Sequence, residues 1–109
     1  MKYVTRSEFE DRFPQRQSDN KITTIYPGNL SLDRDAVIEG IVRGDVTVHS
    51  GVQAVITGII HGNVDAKEDS VIFLTGVVEG DVQLGGSAFI TGLVKGLVTG
   101  KDDSCVFVP

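Results

Sequence analysis

Four stretches of this chain share one grammar: Gly40-Ile41-Val42-Arg43-Gly44, Gly58-Ile59-Ile60-His61-Gly62, Gly76-Val77-Val78-Glu79-Gly80 and Gly92-Leu93-Val94-Lys95-Gly96. Successive copies begin 18, 18 and 16 residues apart. The residues just beyond each copy repeat as well, as Gly44-Asp45-Val46, Gly62-Asn63-Val64, Gly80-Asp81-Val82 and Gly96-Leu97-Val98, with a partial copy upstream in Gly28-Asn29-Leu30-Ser31-Leu32. A period this short cannot hold a helix pair or a propeller blade. It suits one coil of a β-solenoid, built from short strands and bends.

Working outward from the repeat, apolar residues recur at every second position. Ile38, Val42, Val46 and Val48 share a parity, as do Ile56, Ile60, Val64 and Ala66 one copy later. Alternate residues of a strand face one side, so this parity is expected to point inward. Glycine belongs at the bends, or where a side chain would not fit. The composition agrees with this. Gly is 13 of 109 residues, aromatics are 6% and Trp is absent, as a narrow interior of Ile, Val and Leu requires. The expected fold is all-β: a solenoid of about five short coils over residues 28–109, preceded by a capping segment over residues 1–27. In that segment Ser7 is the expected N-cap of a short helix carrying Phe9 and Phe13 on one face, ended by Pro14. Terminal repeats need covering, so the segment is expected over the N-terminal end of the rod.

The repeat grammar of residues 28–100 resembles that of the bactofilins, bacterial polymer-forming cytoskeletal proteins. The resemblance implies a right-handed, single-stranded β-helix and nucleotide-free self-assembly through solenoid ends. A capped N-terminal end would block head-to-tail growth and leave at most a dimer through the C-terminal end, or a stand-alone protein. The alternative for a small, stand-alone solenoid is an acidic immunity-type inhibitor that neutralises a basic toxin.

Outward positions stack into columns. Val37, Val55, Phe73 and Phe89 form one apolar column, and Ile41, Ile59, Val77 and Leu93 form another. Glu39, Thr57, Thr75 and Thr91 run between them. Together with the apolar C-terminal Cys105, Val106, Phe107 and Val108, these columns are the candidate interface. The competing expectation is that the N-terminal segment lies over the apolar band. Arg43, His61, Glu79 and Lys95 form a titratable column, read as cross-coil pairing on a solvated face. Asn29, Asp45, Asn63 and Asp81 form the column after the second glycine, where side-chain capping of turns suits Asn and Asp.

No catalytic, cofactor-binding or metal-ligating constellation is legible. The two histidines, His49 and His61, fall in different columns, and Cys105 has no partner cysteine. Net charge is −5 and no basic stripe is present, which disfavours nucleic acid as a partner. No apolar run is long enough for a membrane span, and no secretory leader is evident in the opening residues. A cytoplasmic, non-enzymatic protein is expected. Its partner is a second copy of itself or a basic protein that meets Asp33, Asp35, Asp65, Glu68, Asp69, Asp102 and Asp103 in the bends.

Overall fold

Each coil contributes one strand to each of three parallel sheets in the computed structural model, which describes residues 1–109. Face A collects Lys21–Ile22, Ala36–Ile38, Gln53–Ile56, Val71–Leu74, Ser87–Ile90 and Cys105–Phe107. Face B collects the two-residue strands Ile25–Tyr26, Ile41–Val42, Ile59–Ile60, Val77–Val78 and Leu93–Val94. Face C collects Leu30–Leu32, Val46–Val48, Val64–Ala66, Val82–Leu84 and Val98–Gly100. The chain is a β-solenoid of five coils, with an extra layer on face A.

The register makes the repeat physical. Ile41 pairs with Ile59, Ile59 with Val77 and Val77 with Leu93, so equivalent residues of successive copies stack directly. Inward residues form one core of 21 buried side chains, which contains no aromatic ring. Ile38, Val42, Val46, Val48, Ile56, Ile60 and Val78 are fully buried, as their parity requires.

The glycines are a consequence of coil spacing. Strands stacked about 4.8 Å apart leave no room at the A–B corner. A Cβ at Gly58 would overlap the carbonyl oxygen of Gly40, and one at Gly76 would overlap that of Gly58. At the B–C corner the obstacle is a side chain of the Asn–Asp column. Asn29 Oδ1 accepts from Asp45 N at 2.8 Å, Asp45 Oδ1 from Asn63 N at 2.8 Å, and Asn63 Oδ1 from Asp81 N at 2.8 Å. Asp81 Oδ1 closes the series on Leu97 N at 2.9 Å. The column therefore caps the amides of the next coil rather than its own turn.

Three expectations change. The first coil begins at Lys21, because Lys21–Ile22 and Ile25–Tyr26 are strands paired to the second coil, so the solenoid boundary moves from residue 28 to about residue 21. The helix spans Arg6–Arg12 with Thr5, not Ser7, as N-cap. Thr5 Oγ1 accepts from Glu8 N while Glu8 Oε1 accepts from Thr5 N, a reciprocal pair that satisfies two end amides at once and so wins over Ser7. Finally, the capping segment covers the opposite end of the rod. Lys2–Tyr3 adds a strand beside Cys105–Phe107, with Lys2 N donating to Ser104 O at 2.7 Å and Val4 N to Val106 O at 3.0 Å. From there the segment descends the outside of face A to reach the first coil.

Candidate interaction surfaces

The descending segment acts as a strap, and what it covers is decided by Phe9. That side chain is fully buried against face A. Its ring lies 5.8 Å from Phe73, edge to face, 5.5 Å from Phe89 and 4.9 Å from Phe13. Phe107 stacks on Phe89 at 4.7 Å. The five phenylalanines thus form a second core outside the coils, completed by Val71 and Cys105. Aromatics too wide for the solenoid interior are used where the strap needs bulk.

Below the helix the strap is tied by a polar clasp. Arg16 grips Asp35 through two bonds, Nε to Oδ2 at 2.7 Å and Nη2 to Oδ1 at 3.0 Å. Asp35 Oδ1 also accepts from Gln53 N at 2.9 Å, and Gln53 Nε2 donates to Pro14 O at 3.0 Å. The Arg16 hydrogen bond holds the Asp35 carboxyl below its usual range, against the opposing pull of desolvation and with help from the Gln53 amide. The same bond raises Arg16.

These contacts sort the candidate interface residues. Phe73, Phe89, Cys105 and Val106 are buried within the molecule, and Val55 and Phe107 pack against the same cluster. As an open intermolecular surface this set is a correction: the helix covers most of it, and Val106 points into the coil core. Cys105 accepts a hydrogen bond at Sγ from Arg12 Nη1 at 3.0 Å, and its amide donates to Ser87 Oγ at 3.1 Å. Val37 is half-buried at the foot of the column, and Val108 is exposed beyond the last strand.

The second column has no such cover. Leu93 is 53% exposed and Ile59 37%, while Ile41 and Val77 are half-buried by their neighbours alone. The register extends the column by one residue that the repeat did not announce, Ile25, also 53% exposed. On one side runs the threonine column, whose hydroxyls reach back to the coil below. Thr57 Oγ1 donates to Ile38 O at 3.3 Å, and Thr75 and Thr91 do the same to Ile56 O and Leu74 O at 3.5 Å. On the other side, Glu79 holds both His61 and Lys95, the latter at 3.7 Å. Arg43 has no carboxylate partner of its own.

A groove of about 480 Å³ lies beneath the strap. Lys2, Arg12 and Arg16 line it together with Glu68, Asp69 and Asp103, so neither sign dominates. His49 and His61 belong to no group of three or more side chains able to hold a metal. No helix is long and apolar enough to cross a membrane. A scan against protein-family models finds no match, and searches of curated proteins and of solved structures find none either.

Proposed function

We propose that this chain is a bactofilin-like, non-catalytic β-solenoid that works by protein–protein contact in the cytoplasm and self-associates into a closed assembly rather than a filament. The observation that carries the reading is the asymmetry between its two apolar columns. One is covered over most of its length by the strap and by the rings of Phe9, Phe13 and Phe107, while the other runs bare along all five coils. A continuous exposed apolar strip flanked by polar columns is the kind of surface that proteins reserve for a partner.

Three features of the rod ends support closure over growth. Thr24 stands where every later coil has glycine, and a Cβ at that corner points at the carbonyl of whatever coil lies beneath. Leu97 stands where the other coils have Asn or Asp, so the far end offers no side-chain acceptor to an incoming coil. Face A also overhangs the other two faces by the strands Cys105–Phe107 and Lys2–Tyr3. An in-register head-to-tail stack would meet all three obstacles. Without a repeating end contact, association closes as an isologous pair.

Sedimentation equilibrium over a range of concentrations tests the proposal. A mass rising from 11.7 kDa toward twice that value, and no further, is expected. Open-ended growth would refute closure, and a strict monomer would refute self-association. A second reading rests on the exposed acidic bends, Glu68 and Asp69 above one coil and Asp102 and Asp103 above another, which suit a basic protein partner.

A further inference from the structure

We infer that the closed assembly is an antiparallel dimer joined face to face through face B, a geometry that rests on the self-association proposed above. Face B is narrow, built of two-residue strands, and its three outward columns differ in chemistry: threonine, apolar and charged. Two copies can meet across it by two kinds of two-fold axis.

An axis parallel to the strands, passing through Ile59–Ile60, returns each column onto itself with the coil order reversed. The first coil then faces the fifth, the second faces the fourth, and the third faces itself. Ile25 lies opposite Leu93 of the second copy, Ile41 opposite its Val77, and Ile59 opposite its Ile59. The charged column becomes complementary under the same operation. Arg43, which lacks a carboxylate within its own chain, faces Glu79 of the second copy, and the contact occurs twice. Lys95 faces Pro27 at the end of the strip, and Glu39 faces Thr75 at its edge, both open to water. Asp45 and Asp81 lie around the B–C corner, where an oxygen of each already serves the amide of the coil above.

The other axis runs along the rod and swaps the outer columns. Arg43 would then face Glu39, while Glu79 and Lys95, joined to each other within the chain, would be set against Thr75 and Thr91. The antiparallel axis is distinguished by bringing Arg43 to Glu79, the carboxylate that already gathers His61 and Lys95, and by setting His61 against His61 of the second copy rather than against Thr57. Five strands about 4.8 Å apart make a strip only about 24 Å long, well short of a permanent interface. The dimer is therefore weak and concentration-dependent, and its register depends on the charged column more than on area.

The test combines charge reversal with cross-linking in the full chain. Arg43→Glu is expected to weaken dimerisation at least tenfold, and adding Glu79→Arg is expected to restore it to within about threefold. His61→Cys places two thiols on the axis and is expected to give a disulfide-linked dimer under mild oxidation. Gln83→Cys, exposed on face C, is not. If the unmodified chain dimerises but the double reversal fails to restore it, or His61→Cys cross-links no better than Gln83→Cys, the face B geometry is overturned while self-association stands. If the unmodified chain is monomeric throughout, both are overturned.

Discussion

Replacing Phe9 by alanine removes the side chain on which the strap depends. Phe9 is fully buried among three other rings at centroid distances of 4.9–5.8 Å. Truncating a buried phenylalanine costs about 3–5 kcal/mol when the surroundings cannot collapse. Here the helix can settle partly into the space, which points to the lower figure, about 3 kcal/mol. The other ties, among them the amide bonds of Lys2 and Val4, the Arg12–Cys105 contact and the Arg16 clasp, are mostly polar and partly exposed and do not replace that energy. The loss has two signatures. With a urea slope of about 2 kcal/mol/M, the unfolding midpoint falls by about 1.5 M. If the strap opens ahead of the coils, cleavage within residues 14–20 accelerates by up to about a hundredfold, since about 1.4 kcal/mol is a factor of ten. Leu97→Ala, at a position 71% exposed and outside face B, serves as the control and is expected to stay within about 0.5 kcal/mol of the parent. A Phe9→Ala protein that loses less than about 1 kcal/mol, with unchanged cleavage, would refute the account of the strap as held by its aromatic core.

Gly76→Ala drives a Cβ into the carbonyl of Gly58, backbone against backbone, and is expected to destabilise by at least about 2 kcal/mol in urea titration. Gly28→Ala, which meets nothing within 4 Å, is expected to be nearly neutral, and equal effects would sink the close-approach explanation of the repeat. The Arg16–Asp35 clasp predicts a pH dependence. The Asp35 carboxyl is held below its usual value, so its stabilisation is complete above the unfolded value of about 3.9 and is lost as pH falls through the folded one. Asp35→Asn is expected to cost up to about 1 kcal/mol near pH 7, a small figure because the pair is partly exposed, and the gap from the parent narrows below about pH 4. An equal gap at about pH 7 and about pH 3 would show that the charge of Asp35 does not matter.

The coils were legible because their rules are local and repeated. The parity of Ile38, Val42, Val46 and Val48 predicts their burial directly, and the spacing of the glycines predicts the corners. The choice between the two apolar columns was harder. Phe73 and Ile59 are both outward in their coils, and nothing within a single repeat says which is covered. The distinguishing signal is that aromatics occur in only one column and that the N-terminal segment supplies two more, Phe9 and Phe13. The end of the rod that the strap caps was not legible at all. Lys2–Tyr3 is a two-residue strand with no pattern of its own, fixed by a partner at Cys105–Phe107 about as distant as the chain allows. Thr24 and Leu97 were readable in principle, as departures from the glycine and Asn–Asp positions. Their meaning needed the coil spacing, because only then does a missing glycine become a collision and a missing Asp a lost acceptor.

The strap also changes what kind of folding unit the solenoid is. In a stack of coils each layer touches only its neighbours, so stability is a sum of local terms and the ends fray first. Here the polypeptide that enters at the far end, beside Cys105–Phe107, is the one that becomes the first coil at Lys21. Phe9 bridges the column between Phe73 and Phe89, and the clasp joins the strap to Gln53 one coil below Phe73 and to Asp35 two coils below it. Fraying either end therefore strains contacts that span the rod. A one-dimensional array becomes a closed circuit, whose coils are lost together rather than one at a time. The same circuit occupies the bulkiest apolar column of the surface and leaves face B as the long apolar strip still open. The covering that stabilises the fold thereby also determines which apolar column stays exposed.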